Sequence, residues 1–245
     1  MEYSIEICSQ YDITTIGDKQ VIVFNDHNMA IPAWGTIRQN YNAPLRLVTF
    51  DTHPDTRAAF AREICKEYHA YNNQNCQKFQ KNILSLYHCH ASQFNFEDAF
   101  RLAIELVAND EQIMVADYYD YINEYIVFCS LPNDELREYQ LDDRMNGQNA
   151  TYYSKHHIRK LLDAEITSIC STPFILDFDL DYFTSPDIID TVFKEKINLL
   201  IKNASAITIA KEPKYFELEK TDEKFDNSRA LKMLLDLIRE VCDAK

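Results

Sequence analysis

The chain has 245 residues, of which 46% are hydrophobic, and its formal net charge is −14. This hydrophobic content is enough to bury a substantial core, and no convincing linker interrupts the sequence, so we expect a single domain over residues 1–245. The acidic excess argues against general nucleic-acid binding, because neutralising phosphates requires clustered Lys and Arg. Only three glycines are present, too few and too scattered for a Walker loop or a GxGxxG turn.

The cysteines and the apolar runs bear on the cellular compartment. The seven cysteines are scattered and include no CxxC pair, which predicts neither a disulfide framework nor a zinc ribbon. No apolar run approaches the roughly 18 to 20 residues needed to span a bilayer, and no secretory leader is recognisable. We therefore expect a cytoplasmic protein with no membrane partner.

Apolar runs and amphipathic stretches alternate along the chain. The pattern predicts strands at 20–25, 45–50, 112–116, 124–129, 173–179 and 205–210. It predicts helices at about 55–69, 95–109, 155–166, 187–203 and 226–244, the last capped by Asn227 or Ser228. Residues 130–154 are polar and irregular, which is typical of a surface loop. The alternation favours an α/β fold with a mostly parallel sheet and helices on both faces.

Side chains able to bind metal follow three of the predicted strands. They are His27 in "FNDHN", Asp51, His53 and Asp55 in "FDTHPD", and Asp177, Asp179 and Asp181 in "DFDLD". A spacing of two residues places strand side chains on one side, and open parallel sheets bind ligands at the carboxyl ends of their strands. Solvated or capping carboxylates are the alternative for each segment alone, but three such segments at equivalent strand ends favour one metal site.

Four segments, "FNDHN", "DTHPD", "DFDLDYF" and "AKEP", resemble the peptide arginase family of the ureohydrolase superfamily, over residues 20–215. The resemblance implies an arginase-like, three-layer α/β/α fold with two manganese ions. It also implies hydrolysis of arginine side chains within a precursor peptide, giving ornithine and urea. By position, one ion would have the ligands His27, Asp51, Asp55 and Asp179, and the other would have Asp51, His53, Asp179 and Asp181.

Charge supports this assignment independently. Two divalent ions bring four positive charges, which the carboxylates of Asp51, Asp55, Asp179 and Asp181 neutralise. A mixed set of carboxylate and imidazole ligands suits Mn²⁺ better than a metal that prefers thiolates. Two cations also lower the pKa of a shared water, which makes it a nucleophile near neutral pH.

Two acidic residues are expected to act on the substrate. Asp181 is expected to pass a proton to the departing nitrogen. Glu212, after the strand predicted at 205–210, is expected to bind the guanidinium group, because the planar donor fork of a guanidinium matches two carboxylate oxygens. In the alternative interpretation, Glu212 is an exposed loop residue paired with Lys211 or Lys214.

Three further residues are weaker candidates. His69, in "KEYHAYNN", is a candidate proton shuttle or an ordinary histidine at a helix end. Trp34 follows His27 closely enough to line a substrate site, but a core position explains it equally well. Asp117, after the strand predicted at 112–116, either contacts substrate or caps the next helix.

The sequence departs from arginases at two places and leaves other functions open. Arginases have glycines ahead of the first histidine, where this chain has Asn25 and Asp26, and Asp177 replaces a small residue. These differences argue against free arginine as the substrate more than against metal binding. The alternatives are an agmatinase-like enzyme, a deacetylase-like amide hydrolase with one zinc ion, and a non-catalytic binding protein that contains metal. A metallophosphoesterase is disfavoured, because its GD and GNH segments are absent.

Overall fold

A seven-stranded sheet forms the middle layer of the protein. The computed structural model describes residues 10–130, 149–155 and 157–243. The strand order across the sheet is β1-β2-β7-β6-β3-β4-β5. The strands are β1 (Tyr11–Ile16), β2 (Lys19–Phe24), β3 (Leu45–Phe50), β4 (Ile122–Cys129), β5 (Ala150–Ser154), β6 (Phe174–Asp179) and β7 (Ala206–Ala210). All neighbouring pairs of these strands are parallel except β1 with β2.

Helices cover both faces of the sheet. The α-helices in the described residues are α1 (Ala30–Arg38), α2 (Ala61–Tyr68), α3 (Asn73–Leu84), α4 (Phe96–Leu106), α5 (Gln112–Tyr118), α6 (Asp163–Ile169), α7 (Thr191–Asn203), α8 (Pro213–Glu219) and α9 (Asn227–Asp243). Helices α1 to α5 pack on one face, and α6 to α9 pack on the other. The predicted three-layer α/β/α fold with a mostly parallel sheet is confirmed.

The central strands are buried on both faces. In β3, Leu45 and Leu47 pack in the layer of α1 to α5, whereas Val48 and Phe50 pack in the layer of α6 to α9. Phe50 stacks on Phe128 of β4 with ring centroids 4.7 Å apart. Strands buried in this way are almost continuously apolar, which is why the sequence pattern located them well.

Four adjacent strands end at the same edge of the sheet. Phe24 of β2 pairs with Ala210 of β7, Ala210 pairs with Asp179 of β6, and Phe178 pairs with Phe50 of β3. Because these strands are parallel, the residues that follow them meet at one edge, here called the carboxyl edge.

The strand predicted at 112–116 is wrong. These residues begin helix α5, and Asp117 lies in its last turn rather than at a strand end. An apolar run of five residues fits a buried strand and a buried helix equally well, so its periodicity could not distinguish the two.

Other element boundaries also differ from the prediction. The first predicted helix begins at Ala61 rather than near residue 55. The last helix is capped by Asp226, whose Oδ1 accepts a hydrogen bond from the backbone N of Arg229 (2.8 Å), rather than by Asn227 or Ser228. Strands β1 and β5 and helices α1, α3 and α8 were not predicted. Strand β5 falls within the predicted irregular region 130–154, of which residues 131–148 lie outside the described residues.

The described residues include most of the cysteines and the helices. Among the described cysteines, Cys65, Cys76, Cys89, Cys170 and Cys242 are free. Within the described ranges, no helix is both long enough and apolar enough to cross a membrane.

Candidate metal centre

Acidic and histidine side chains meet at the carboxyl edge. Donor atoms lie within 4.8 Å of one another in three overlapping groups: His27 with Asp51 and Asp179, Asp51 with His53 and Asp181, and Asp179 with Asp181 and Glu212. All of these residues are buried except His53, whose side chain is 46% exposed. The structure therefore brings together residues from four strand ends that the sequence separates by up to 185 positions.

The environment of His27 fits a cation. Its Nδ1 lies 3.3 Å from Asp51 Oδ2, 3.1 Å from Asp55 Oδ2 and 3.2 Å from Asp179 Oδ2, yet it makes no hydrogen bond. One N–H group can satisfy only one of three acceptors. Ligands at about 2.1 Å from one ion and at right angles to each other are separated by about 3.0 Å, close to these distances.

Asp177 fixes the orientation of the His27 ring. Its Oδ2 lies 2.9 Å from His27 Nε2 and accepts a hydrogen bond from Thr49 Oγ1 (2.9 Å), while its Oδ1 accepts one from Thr208 Oγ1 (2.5 Å). Thr49, Asp177 and Thr208 are register partners on β3, β6 and β7. A carboxylate at Nε2 keeps the proton on that nitrogen and leaves the lone pair of Nδ1 for a metal. The sequence placed Asp177 among the side chains able to bind metal and as a departure from arginases, and did not suggest this positioning role.

Backbone N–H groups orient three of the carboxylates. Asp51 Oδ1 accepts from the backbone N of His53 (2.7 Å), Asp179 Oδ1 from that of Asp181 (3.1 Å), and Asp181 Oδ1 from that of Thr52 (3.1 Å). The Oδ2 atoms of Asp51 and Asp181 are buried without a hydrogen-bond partner. Such groups are costly to bury unless a cation compensates them.

The pKa values show the same lack of compensation. Burial, followed by the charges of Asp55 and Asp179, raises the pKa of Asp51 well above its ordinary value. Burial and Asp181 raise the pKa of Asp179 to about 7. A hydrogen bond to Asp181 raises the pKa of His53 to about 9. Divalent cations would offset this negative charge, so the residues fit the metal ions that the sequence implies.

Asp55 reaches the cluster from a loop. It has a positive φ of 50° and lies between β3 and α2, so the prediction that it begins a helix is wrong. Its Oδ2 accepts a hydrogen bond from Gln112 Nε2 (2.6 Å). A positive φ is uncommon for residues other than glycine, and the surrounding contacts must hold this backbone in place.

Glu212 is buried beside the cluster, which excludes the exposed-loop alternative. It follows β7 with a φ of 37°, and its Oε1 accepts hydrogen bonds from the backbone N of His27 (3.0 Å) and from Asn109 Nδ2 (2.7 Å). Burial and the charge of Asp179 raise its pKa to about 9. Its proximity to Asp179 and Asp181 also makes Glu212 a candidate metal ligand, a role that the sequence did not suggest.

Four consecutive residues, 109–112, hold other parts of the site, and we call them the clamp segment. Each contacts a different residue of the site, of the loop after β3 or of the first turn of α2. The contacts are Asn109 Nδ2 to Glu212 Oε1 (2.7 Å), Arg57 Nη1 to Asp110 Oδ2 (3.1 Å), Arg62 N to Glu111 Oε1 (2.7 Å) and Gln112 Nε2 to Asp55 Oδ2 (2.6 Å). No sequence pattern indicates this segment, because polar residues around the start of a helix are ordinary turn residues.

A cavity of about 710 Å³ opens beside the cluster. His53, Asp55 and Glu212 contribute to its wall from the cluster side. The other lining residues are Asn28, Pro54, Arg57, Arg62, Ile104, Val107, Ala108, Asn109, Asp110 and Tyr215. The cavity therefore gives a ligand access to the carboxyl edge.

The three weaker candidates lie away from this cavity wall. His69 is exposed at the end of α2, with a φ of 58°. Trp34 is fully buried in the core, where its Nε1 donates to Thr208 Oγ1 (3.1 Å) and its ring lies edge-on to that of His27. Asp117 is half-buried in α5. Trp34 thus has the core position, and the roles of His69 and Asp117 stay predictions.

The fold and the cluster define a class of protein: a three-layer α/β/α protein with buried His and Asp side chains at the carboxyl edge of its sheet that are able to hold a metal ion. The chain matches no protein-family model and no curated protein. The geometry of the site and the four resembling segments are therefore the basis for a function.

Proposed function

We propose that the protein is a manganese-dependent hydrolase that converts arginine side chains in peptides to ornithine and releases urea. The main support for the proposal is the buried His27 Nδ1, which faces three carboxylates without a hydrogen bond, as expected for a metal ligand. Glu212, a buried carboxylate at the wall of the adjacent cavity, supports a cationic substrate. The resemblance to peptide arginases agrees with both features.

Six side chains are proposed to hold two Mn²⁺ ions. His27 and Asp55 would bind one ion and His53 and Asp181 the other, and two bridging carboxylates, Asp51 and Asp179, would bind both. When bound, the two ions supply a water molecule of lowered pKa as the nucleophile. Asp177 keeps the proton of His27 on Nε2, so that Nδ1 faces the metal side.

Glu212 is proposed to bind the guanidinium group. Its Oε1 already accepts two hydrogen bonds, which fixes the carboxylate and leaves Oε2 for the donors of the substrate. A bound guanidinium also brings a positive charge, which favours the ionised form of Glu212 and offsets the effect of burial on its pKa. The N–H donors of a guanidinium bind a carboxylate oxygen strongly, so Glu212, through Oε2, orients the carbon that is attacked.

Asp181 is proposed to move a proton during the reaction. Its Oδ2 is buried without a hydrogen-bond partner, and Thr52 N holds its Oδ1. It would take a proton from the attacking water and pass it to the leaving nitrogen of the side chain. Water and the guanidinium group are consumed, and urea and the ammonium group of ornithine are formed.

The size of the cavity supports a peptide as the substrate. Its volume of about 710 Å³ is in the range of pockets that hold molecules much larger than one side chain. Ile104 on its wall is 57% exposed and offers an apolar contact for a neighbouring residue of a peptide.

Mass spectrometry of arginine-containing peptides tests the proposal. After incubation with the Mn²⁺-loaded protein, each converted arginine should lose about 42 mass units, the mass of CN₂H₂, with one urea released. A peptide with lysine in place of arginine is the control and should stay unchanged, because an ammonium group has no electrophilic carbon.

Three other outcomes would assign another function. Turnover of agmatine but not of peptides would indicate an agmatinase-like enzyme. Release of acetate from acetyl-lysine peptides would indicate a deacetylase-like hydrolase. Tight peptide binding by the metal-loaded protein without any product would indicate a non-catalytic binding protein.

A further inference from the structure

One cation on the cavity wall forms no ion pair with the other residues that the structure describes. Of the charged residues that line the cavity, Asp55 and Glu212 belong to the candidate metal centre, and Arg57 pairs with Asp110 (3.1 Å). Arg62 is exposed, and its guanidinium forms none of the ion pairs found among the described residues. Arg62 thus offers the cavity a guanidinium that forms no ion pair within the described ranges.

The position of Arg62 is fixed by its backbone. At the start of α2, the backbone N–H of Arg62 donates a hydrogen bond to Oε1 of the buried Glu111 (2.7 Å). Tyr215 of α8 also lines the cavity, and it lies close enough for the charge of Arg62 to lower the pKa of its phenol, which burial raises. The Arg62 side chain therefore faces the cavity that it lines.

We propose that Arg62 forms an anion subsite in this cavity and that the preferred substrate carries a carboxylate near its guanidinium group. This inference rests on the proposed function. An arginine presents a planar fork of N–H donors, which binds a carboxylate through two hydrogen bonds. The substrate would then be gripped at both ends, by Glu212 on its guanidinium and by Arg62 on its carboxylate.

The subsite would also reduce the repulsion between the acidic protein and an acidic substrate. A protein with a net charge of −14 repels an acidic peptide at long range. An unpaired cation inside the cavity offsets this repulsion locally and selects for an acidic group there. Two sources of the carboxylate share this chemistry: an Asp or Glu next to the target arginine, and the α-carboxylate of a free or C-terminal arginine.

Matched substrates separate these sources. One set consists of amidated peptides with an internal arginine followed by Asp, Asn or Lys. The other compares free arginine and C-terminal arginine with agmatine, which has no carboxylate. Release of urea gives kcat/KM for each substrate, and calorimetry gives the binding constant for each in the Mn²⁺-loaded protein.

In at least one set, the wild-type protein should have a kcat/KM about fivefold higher for the substrate with a carboxylate. This factor corresponds to the upper range of free energies for an exposed ion pair. The variant Arg62→Glu should reverse the order of the Asp and Lys peptides, and Arg62→Ala should remove the preference. Lys66→Glu makes the same change of charge on an exposed residue of the same helix that does not line the cavity, so it should leave the order unchanged. High salt should weaken the wild-type preference.

The outcomes distinguish the two proposals. An unchanged order in Arg62→Glu, with metal content and thermal stability like wild type, overturns the subsite. Carboxylate-dependent binding that Arg62→Glu reverses, without any urea, supports the subsite and overturns the proposed function. No carboxylate preference in turnover or in binding by the wild-type protein also overturns the subsite.

Discussion

At the scale of single residues, the candidate centre depends on carboxylates that share neighbours. Asp51, Asp179 and Asp181 each belong to two of the three donor groups, and all three are buried; of these, Asp51 and Asp179 are the proposed bridging ligands. Removing a shared ligand should weaken both metal positions at once, whereas removing a residue that only contacts substrate should leave the metals in place.

The variant Asp179→Asn tests the bridging role. It keeps the size of the side chain but removes its negative charge, so we expect loss of most bound Mn²⁺ together with loss of turnover. Elemental analysis of the purified variant measures the metal, and urea release measures turnover. Undiminished Mn²⁺ in Asp179→Asn would contradict the bridging role.

The variant Glu212→Gln separates substrate binding from metal binding. The amide cannot neutralise a guanidinium, so kcat/KM should fall by at least about 100-fold while the Mn²⁺ content stays at the wild-type level. Glu217→Gln, on an exposed residue of α8, is the matched control and should behave like wild type. If Glu212→Gln also loses metal, Glu212 is a ligand, as its distance from Asp179 and Asp181 allows.

Much of the candidate centre could be predicted from the sequence, because its donors follow strands at a spacing of two residues. Asp51, Asp179 and Asp181 were located in this way. Asn109 and Gln112 were not, since they contact residues 103 and 57 positions away and are of types common in any turn. Long-range contacts between common polar residues leave no pattern in one sequence.

At the scale of elements, the clamp segment 109–112 joins the loop after β3 to the loop after β7. Its two amide side chains act on different parts of the site: Asn109 holds Glu212, and Gln112 holds Asp55. Because one partner is the proposed substrate carboxylate and the other a proposed metal ligand, truncating each amide should have a different effect.

The variants Asn109→Ala and Gln112→Ala test whether the two amides have these separate roles. Gln112→Ala should weaken Mn²⁺ binding at one of the two positions by about 10- to 100-fold, because it frees a metal ligand to rotate. Asn109→Ala should keep the metal affinity of wild type and raise KM for the peptide. Calorimetric titration with Mn²⁺ and steady-state kinetics measure both effects. Equal effects of the two variants on metal affinity would contradict the separate roles of the two amides.

The elements that the sequence predicted well are those with a continuous apolar signal. The bounds of β3 match the prediction at 45–50, because its residues are buried on both faces. Strand β1 was missed, since four of its six residues are exposed and give no alternating pattern. Helix α5 was mistaken for a strand because its apolar run is short.

At the scale of the whole molecule, the buried acids link stability to pH. In the folded protein without metal, burial raises the pKa of Asp179 to about 7 and that of Glu212 to about 9, whereas these groups ionise at about 4 in an unfolded chain. Between the pKa of each group in the unfolded chain and its raised pKa in the folded protein, the folded state binds more protons than the unfolded state. The stability of the metal-free protein therefore falls as pH rises from about 4 to about 9. His53, with its pKa raised to about 9, acts in the same direction, because its stabilising charge is lost as pH rises through that value.

Metal binding should reverse this trend. Mn²⁺ binds ionised carboxylates and neutral imidazoles, so its stabilising effect grows as these groups lose protons. The difference in Tm between the Mn²⁺-loaded and the metal-free protein should therefore increase from about pH 5 to about pH 8. Thermal unfolding in matched buffers, with Mn²⁺ or with a chelator, measures this difference. A constant or shrinking difference would contradict the proposed charge balance.

The number of Mn²⁺ ions bound per chain decides whether the cluster is a two-metal centre. The purified protein is loaded with Mn²⁺, freed of unbound metal and measured by elemental analysis against its protein concentration. We expect two ions per chain, because four proposed ligands, Asp51, Asp55, Asp179 and Asp181, together carry the charge that neutralises two divalent cations. One ion per chain, or none, would contradict the two-metal centre and the reaction proposed for it.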